Sequence, residues 1–325
     1  MRVLITGWSS FIDGEATAGD VLSMEAVRDS LLEDGIAVDI AWSPRFRTDG
    51  LILERVDPDA YSHVLFVCGP AHGRQVRELH DRFAHCQRLA VGVSIVVPDD
   101  PAVTGFHQVI PRDSGGASSH CDLAAGPRCA QVPVVGVALA HAQHEYGNRQ
   151  RHDDVHATLM SWLGQQDCAR VLFDTRLDSH DWRFARTPGQ LESMIRRLDV
   201  VVTTRMHGLV LALKNGVPAL AVDPIAGGAK VSAQAAAWAW PAAVAADAVT
   251  KANLDHWWAW CRSAEGQAQT ARCAREAPLG TLVAQLRKVI TDTDPAAGAR
   301  HAQPAGSPRT VALGRLPRPR QGLDR

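Results

Sequence analysis

Short apolar runs alternate with longer mixed stretches along this chain, and the runs have the length of strands. In the first third they fall at residues 2–6, 37–42, 63–68, 88–97 and 109–113. Helical patterns lie between them at 21–34 and 74–86, where apolar side chains recur on one face. Gly35 ends the first of these helices and Asp20 is the residue expected to cap it. Residues 114–128, rich in Gly, Ser and Ala, break the pattern and predict a linker over about 114–131. A second series then begins, with strands at 133–139, 169–174, 200–202 and 217–222. Its helices are expected at 153–165, 187–198, 205–213, 232–240 and 279–290, and Trp257, Trp258 and Trp260 within 254–264 read as a packing face more than a sugar platform. From residue 291 the chain is Pro-, Gly-, Ala- and Arg-rich without periodicity, which predicts a disordered tail to 325. The whole reads as an α/β protein of two domains, 1–131 and 132–290, each built on a parallel sheet.

Residues 200–230 concentrate the chemistry. Val200-Val201-Val202 is a β-branched run suited to a strand covered on both faces. Thr203 and Thr204 end it, and either can cap a helix that starts there. Arg205-Met206-His207-Gly208 opens that helix, which Asn215-Gly216 closes and Pro218 bars from continuing. Arg205 and His207 thus stand where a strand's carboxyl end meets a helix N-terminus, a place that favours anions. Lys230 comes after the next strand and a loop carrying Gly227 and Gly228. Open α/β sheets bind ligands outside these strand ends, so the three cations are expected to converge on one phosphate or carboxylate. A purely structural reading would instead pair Arg205 with a structural carboxylate and half-bury His207.

Composition narrows the classes. The 325 residues carry a net charge of −1, which lacks the basic face of a nucleic-acid binder. Seven cysteines without a C-x-x-C pair suit a reducing compartment and give no zinc signature. His141, His144 and His152 lack the i, i+4 spacing of a metal motif and read as solvated loop residues. No apolar run reaches membrane-span length, and the first residues read as a strand and not as a leader, so a cytoplasmic protein is expected, with peripheral membrane contact left open. Abundant Ala, Arg and Trp with little Lys suit a GC-rich bacterial source.

The string Thr203-Thr204-Arg205-Met206-His207-Gly208, then Gly216-Val217-Pro218 and a downstream Lys230, resembles the signature of the polysaccharide pyruvyl transferase family. Gly19-Asp20 is similar to that family's early Gly-Asp pair, and Arg112-Asp113 to an Arg-Asp late in its first domain. The resemblance implies two Rossmann-like domains facing a cleft, as in GT-B glycosyltransferases, with the first domain on the acceptor side. It implies transfer of pyruvate from phosphoenolpyruvate to a sugar, glycan or glycolipid as a ketal. Arg205 and His207 match the motif residues that hold phosphoenolpyruvate, with Thr204, Met206 and Gly208 beside them.

That chemistry needs two cationic clamps, a general acid and a general base. Arg205 suits bidentate binding and Lys230 a point contact. His207 is the choice for phosphate contact or proton donation, since imidazole exchanges protons near neutrality. Asp20 is the base candidate, with Glu15 or Glu145 able to replace it. Arg112 and Glu145 complete the expected ligand contacts. The cleft is expected to be lined by residues 9–20, 205–208 and 227–230. No metal or organic cofactor is expected, so activity should survive a chelator. Two other classes share the architecture: a glycosyltransferase holding a sugar nucleotide, and a non-catalytic protein that binds an anionic metabolite.

Overall fold

The computed structural model describes residues 1–114, 119–276 and 280–292. The chain divides into two units between Ala130 and Gln131. The expected tail falls mostly at 293–325, outside the described residues.

In the first unit, strands β1 (Arg2–Thr6), β2 (Ala37–Ile40), β3 (His63–Val67), β4 (Gln87–Ser94) and β5 (Gln108–Asp113) form a parallel sheet in the order β2-β1-β3-β4-β5. Helices α1 (Ala18–Glu33), α2 (Arg74–Arg82) and α3 (Pro101–Thr104) make the crossovers. Side chains alternate across the sheet as the pleat requires. Leu4 and Phe66 pack with Phe83 and Phe106 on one face, while Val3, Ile5, Leu65 and Val67 pack with Met24 on the other.

The second unit holds β6 (Val134–Ala138), β7 (Ala169–Leu172), β8 (Val200–Thr203), β9 (Ala219–Asp223) and β10 (Ala243–Ala245), parallel in the order β10-β9-β8-β6-β7. Around it lie α4 (His152–Gly164), α5 (Pro188–Ile195), α6 (Met206–Lys214), α7 (Lys230–Ala237), α8 (Lys251–Arg262) and α9 (Ala264–Arg275), with α10 (Thr281–Asp292) last. Val200, Val201 and Val202 are fully buried in the central strand, where each side chain contributes about 1.5–3 kcal/mol. Trp258 is buried and Trp257 and Trp260 pack against the same core, so this aromatic cluster is packing.

Counted within its own unit, each sheet runs 2-1-3-4-5. This doubly wound order reverses between its first and third strands, and ligands of such sheets bind above that point. It lies between β1 and β3 in one unit and between β6 and β8 in the other.

Several expected boundaries shift. Thr17, not Asp20, caps α1: its hydroxyl accepts the Asp20 N–H and donates to the Asp20 carboxylate. A Thr three residues before an acid satisfies both ends of a helix start, so the helix begins earlier than its apolar pattern. The expected linker is partly structure, because Leu123–Ala125 forms a 3-10 turn against α1 and Asp122 binds Arg112. Lys230 opens α7 and does not trail the loop before it. His152 is buried in the first turn of α4, not solvated. Thr291 and Asp292 continue the last helix. Among the described residues no helix is long and apolar enough to cross a membrane.

Candidate functional site

The site is built where β8 leaves its sheet. Thr203, fully buried, donates its hydroxyl to the Ala138 carbonyl (2.7 Å) and accepts the Arg205 N–H (2.9 Å). Thr204 accepts the Ala140 N–H at 2.7 Å and lies 3.1 Å from Nε2 of His156. The ends of β6 and β8 are thereby tied together. Arg205 has extended backbone as the N-cap of α6 and offers no side-chain cap. The amides of Met206, His207 and Gly208 meet no acceptor among the described residues, so the helix start presents free donors. Gly208 is required there, since a Cβ would stand 2.2 Å from the Thr203 hydroxyl.

Met206 and His207, but not the buried Gly208, line a cavity of ≈ 380 Å³ together with Thr204, Arg205, Lys230, Asp223, Thr175 and residues 140–143. Arg205 is about one-fifth exposed; its Nε donates to the Leu139 carbonyl (3.1 Å) and its Nη2 to Asp174 (2.9 Å). The structural reading of Arg205 is therefore correct as to its carboxylate partner. It is wrong for His207, which is exposed on the cavity wall. Lys230 Nζ lies 3.1 Å from Glu145, and its charge stands 5.4 Å from the Tyr146 ring centre. The Glu145 carboxyl is held below its usual range first by its own backbone N–H and then by Lys230; Lys230 is raised in turn by Glu145. Glu145 reaches the site only through Lys230.

Asp223 lines the cavity and Asp174 binds Arg205, and the sequence pattern singles out neither. Asp223 is buried and accepts the N–H groups of Ile225 (3.1 Å), Ala229 (2.6 Å) and Ser232 (2.9 Å). It fixes the glycine loop and takes two N–H groups at the start of α7, while the Lys230 and Val231 amides, like those of Met206 and His207, meet no acceptor among the described residues. An Asp-Pro at a strand end before glycines is the signal that could have found it. His152, expected as a solvated loop residue, pairs at i, i+4 with His156, and the two stand one turn apart on α4 with ring centres 5.9 Å apart. Burial pushes both imidazoles below their ordinary pKa. Neither nitrogen of His152 has a protein partner among the described residues. Among those residues no three His, Cys, Asp or Glu side chains gather as a metal cage requires.

The other two expected site residues lie in the first unit. Asp20 and Arg112 line a separate cavity of ≈ 530 Å³ with Trp8, Asp13, Glu15, Thr17 and Cys68, above β1 and β3. Arg112 is bound by Asp113 (2.8 Å), Asp122 and the Ser94 hydroxyl (2.7 Å), and these carboxylates raise its pKa further.

The stretch that builds β7, β8, α6 and β9 also decides the comparison with known sequences. Residues 160–224 match the family model for polysaccharide pyruvyl transferase. The polysaccharide pyruvyl transferase match includes Asp174, the Thr204–Gly208 motif and Asp223, and stops before Lys230. No curated protein matches the chain. Among solved structures, the spinosyn rhamnosyltransferase SpnG is similar at 11% identity, over 88% of this chain and 100% of that one, with a TM-score of 0.34. MurG of Acinetobacter baumannii is similar at 11% identity, over 90% and 100%, with a TM-score of 0.34. The E. coli heptosyltransferase WaaC with ADP is similar at 13% identity, over 80% and 98%, with a TM-score of 0.27.

Proposed function

We propose that this protein transfers the pyruvyl group of phosphoenolpyruvate to a saccharide diol as a ketal, releasing inorganic phosphate. The observation that carries this reading is a coincidence. The stretch matched by the pyruvyl transferase family is the one that sets Arg205, His207 and the free-amide residues Met206 and His207 of the α6 start on the wall of a single cavity.

In this reading the α6 amides and the free edge of Arg205 take the phosphate, while Lys230 takes the carboxylate. Lys230 exchanges Glu145 for the ligand, since an exposed, screened ion pair gives way readily to a doubly charged anion. Thr204 and Met206 shape the wall, and Gly208 keeps the helix start against Thr203. Protonation of the phosphoenolpyruvate methylene by His207 makes its central carbon electrophilic. One sugar hydroxyl bonds to that carbon and gives up its proton to a base. The carbon–oxygen bond to phosphate then breaks, and a second hydroxyl closes the ketal. Asp20, with Glu15 in the same cavity, is the proposed base that serves the acceptor's hydroxyl groups. No metal or organic cofactor enters these steps.

Phosphate release from phosphoenolpyruvate, measured across a panel of sugar, nucleotide-sugar and lipid-linked acceptors, tests the proposal. Acceptor-dependent release with a product heavier by the pyruvyl ketal supports it. A thermal shift with sugar nucleotides and none with phosphoenolpyruvate would refute it.

A further inference from the structure

Arg205 does not simply project from β8. Its guanidinium crosses the end of the neighbouring strand β6, donating to the Leu139 carbonyl, and reaches Asp174 beyond the end of β7. Three adjacent strand ends are thus joined by one side chain. Asp174 is itself fixed, because its other carboxylate oxygen accepts the Arg176 N–H at 2.7 Å in a tight Asp-led turn. Both partners are sheltered, with side chains 22% and 15% exposed, so the pair is not a loose surface contact. Two of the five guanidinium N–H groups are occupied in this way. The Nη1 pair and the remaining Nη2 hydrogen meet no acceptor among the described residues, although Arg205 lines the cavity.

We infer that Asp174 is a positioning residue for anion recognition: it holds the Arg205 guanidinium so that its unoccupied edge faces the ligand. The inference rests on the proposed anion site at Arg205 and adds a residue to it. A carboxylate beside a cation also opposes anion binding by its charge, so what Asp174 contributes here is geometry. Charge and position are therefore separable by substitution. Asp174→Asn removes the charge and keeps one acceptor oxygen, which serves Arg205 only by turning the amide NH2 toward the Arg176 N–H. Asp174→Glu keeps the charge and displaces it by one methylene, and misplacement on the order of 1 Å is enough to impair a clamp by tenfold or more.

The test is steady-state turnover of phosphoenolpyruvate by the full-length chain, with calorimetric binding of inorganic phosphate as an independent probe and melting curves for each variant. Asp174→Asn, whose one oxygen can still serve Arg205, is expected to raise KM by less than Asp174→Glu does and to lower the melting temperature through the lost Arg176 bond. Asp174→Glu is expected to raise KM for phosphoenolpyruvate by about tenfold or more with kcat nearly unchanged, and to weaken phosphate binding in parallel. A carboxylate that served only the fold would lower the melting temperature in both variants and leave KM alone; that result overturns the inference. So does an Asn variant as impaired as the Glu variant, which would make the charge the operative property. If the parent turns over no phosphoenolpyruvate yet binds phosphate, and Asp174→Glu weakens that binding more than Asp174→Asn does, the pyruvyl transfer reading fails and the role of Asp174 stands.

Discussion

Two neighbouring side chains on the cavity wall are asked for different work, and their surroundings explain why. Arg205 is held by Leu139 and Asp174 before any ligand arrives, so it acts on bound anion in the ground state. Arg205→Ala should cost about 2–5 kcal/mol of phosphoenolpyruvate affinity in calorimetry, and Arg205→Lys should restore only part, because a point charge does not reproduce the planar fork. His207 is exposed and unconstrained, as a proton donor that must meet substrate can be. His207→Ala should lower kcat about 10²–10⁴-fold and change affinity less. Unaltered binding by a folded Arg205→Ala protein would remove the clamp. Gly208 gives a prediction of opposite sign to helix propensity. Alanine stabilises an ordinary helix position by about 1 kcal/mol, but here its Cβ would strike the Thr203 hydroxyl at 2.2 Å. Gly208→Ala should therefore destabilise the fold by about 1–3 kcal/mol in denaturant titration. A neutral or stabilising result would mean that the β8–α6 corner relaxes.

At the scale of elements, α4 carries a titratable weakness. His152 is buried with no protein partner among the described residues, and His156 behind Thr204 is also sheltered. Burial lowers both pKa values, against the nearby carboxylates Asp153, Asp223 and Glu145 for His152 and Asp153 for His156; His152 and His141 add to the lowering at His156. His80 in the first unit is lowered for the same reason. A histidine with a folded pKa below its unfolded value of about 6.5 binds fewer protons folded than unfolded. Its contribution is complete above about pH 6.5 and is lost as pH falls from there through the folded value. The melting temperature should thus drop between about pH 7 and 5, before the depressed carboxylates Asp113 and Asp122 begin to protonate. His152→Leu should make that slope shallower and raise stability at about pH 5.5, because it removes an unsatisfied buried polar ring. An unchanged slope would place the proton uptake elsewhere.

These elements also show where the sequence was informative. The β8–α6–β9 unit was legible because a valine run, an Asn-Gly stop and a proline mark its ends locally. Gly216 adopts the left-handed backbone this predicts, with φ 74°. Asp174 was not legible: it comes after a short strand in a polar stretch, and its partner lies 31 residues away on another strand end. Asp223 was hidden for a related reason, since its three amide partners belong to a loop whose path only the fold determines. The cap of α1 was misplaced because Thr17 and Asp20 satisfy each other and either alone fits the local rule.

At the scale of the molecule, the same doubly wound order occurs twice and supports two cavities of opposite character. Above β6 and β8 the lining carries Arg205, His207 and Lys230 with free helix amides. Above β1 and β3 it carries Asp13, Glu15 and Asp20, and its one cation is already bound by two carboxylates and a serine. An anionic donor is therefore expected to select the second unit, while the first suits the hydroxyl groups of a neutral acceptor. Paired substitutions test this division. Arg205→Ala should weaken phosphoenolpyruvate binding by well over tenfold, the equivalent of its lost charge-assisted fork. Arg112→Ala should change that affinity by no more than about twofold, because its donors are already engaged within its own unit. It should instead lower stability by about 1–2 kcal/mol, after allowance for water screening, as Asp113 and Asp122 lose their shared partner. Calorimetry and denaturant titration on the same two proteins read both effects. If Arg112→Ala abolished phosphoenolpyruvate binding while the fold persisted, the anion would be held in the first unit, and the roles assigned to the two cavities would have to be exchanged.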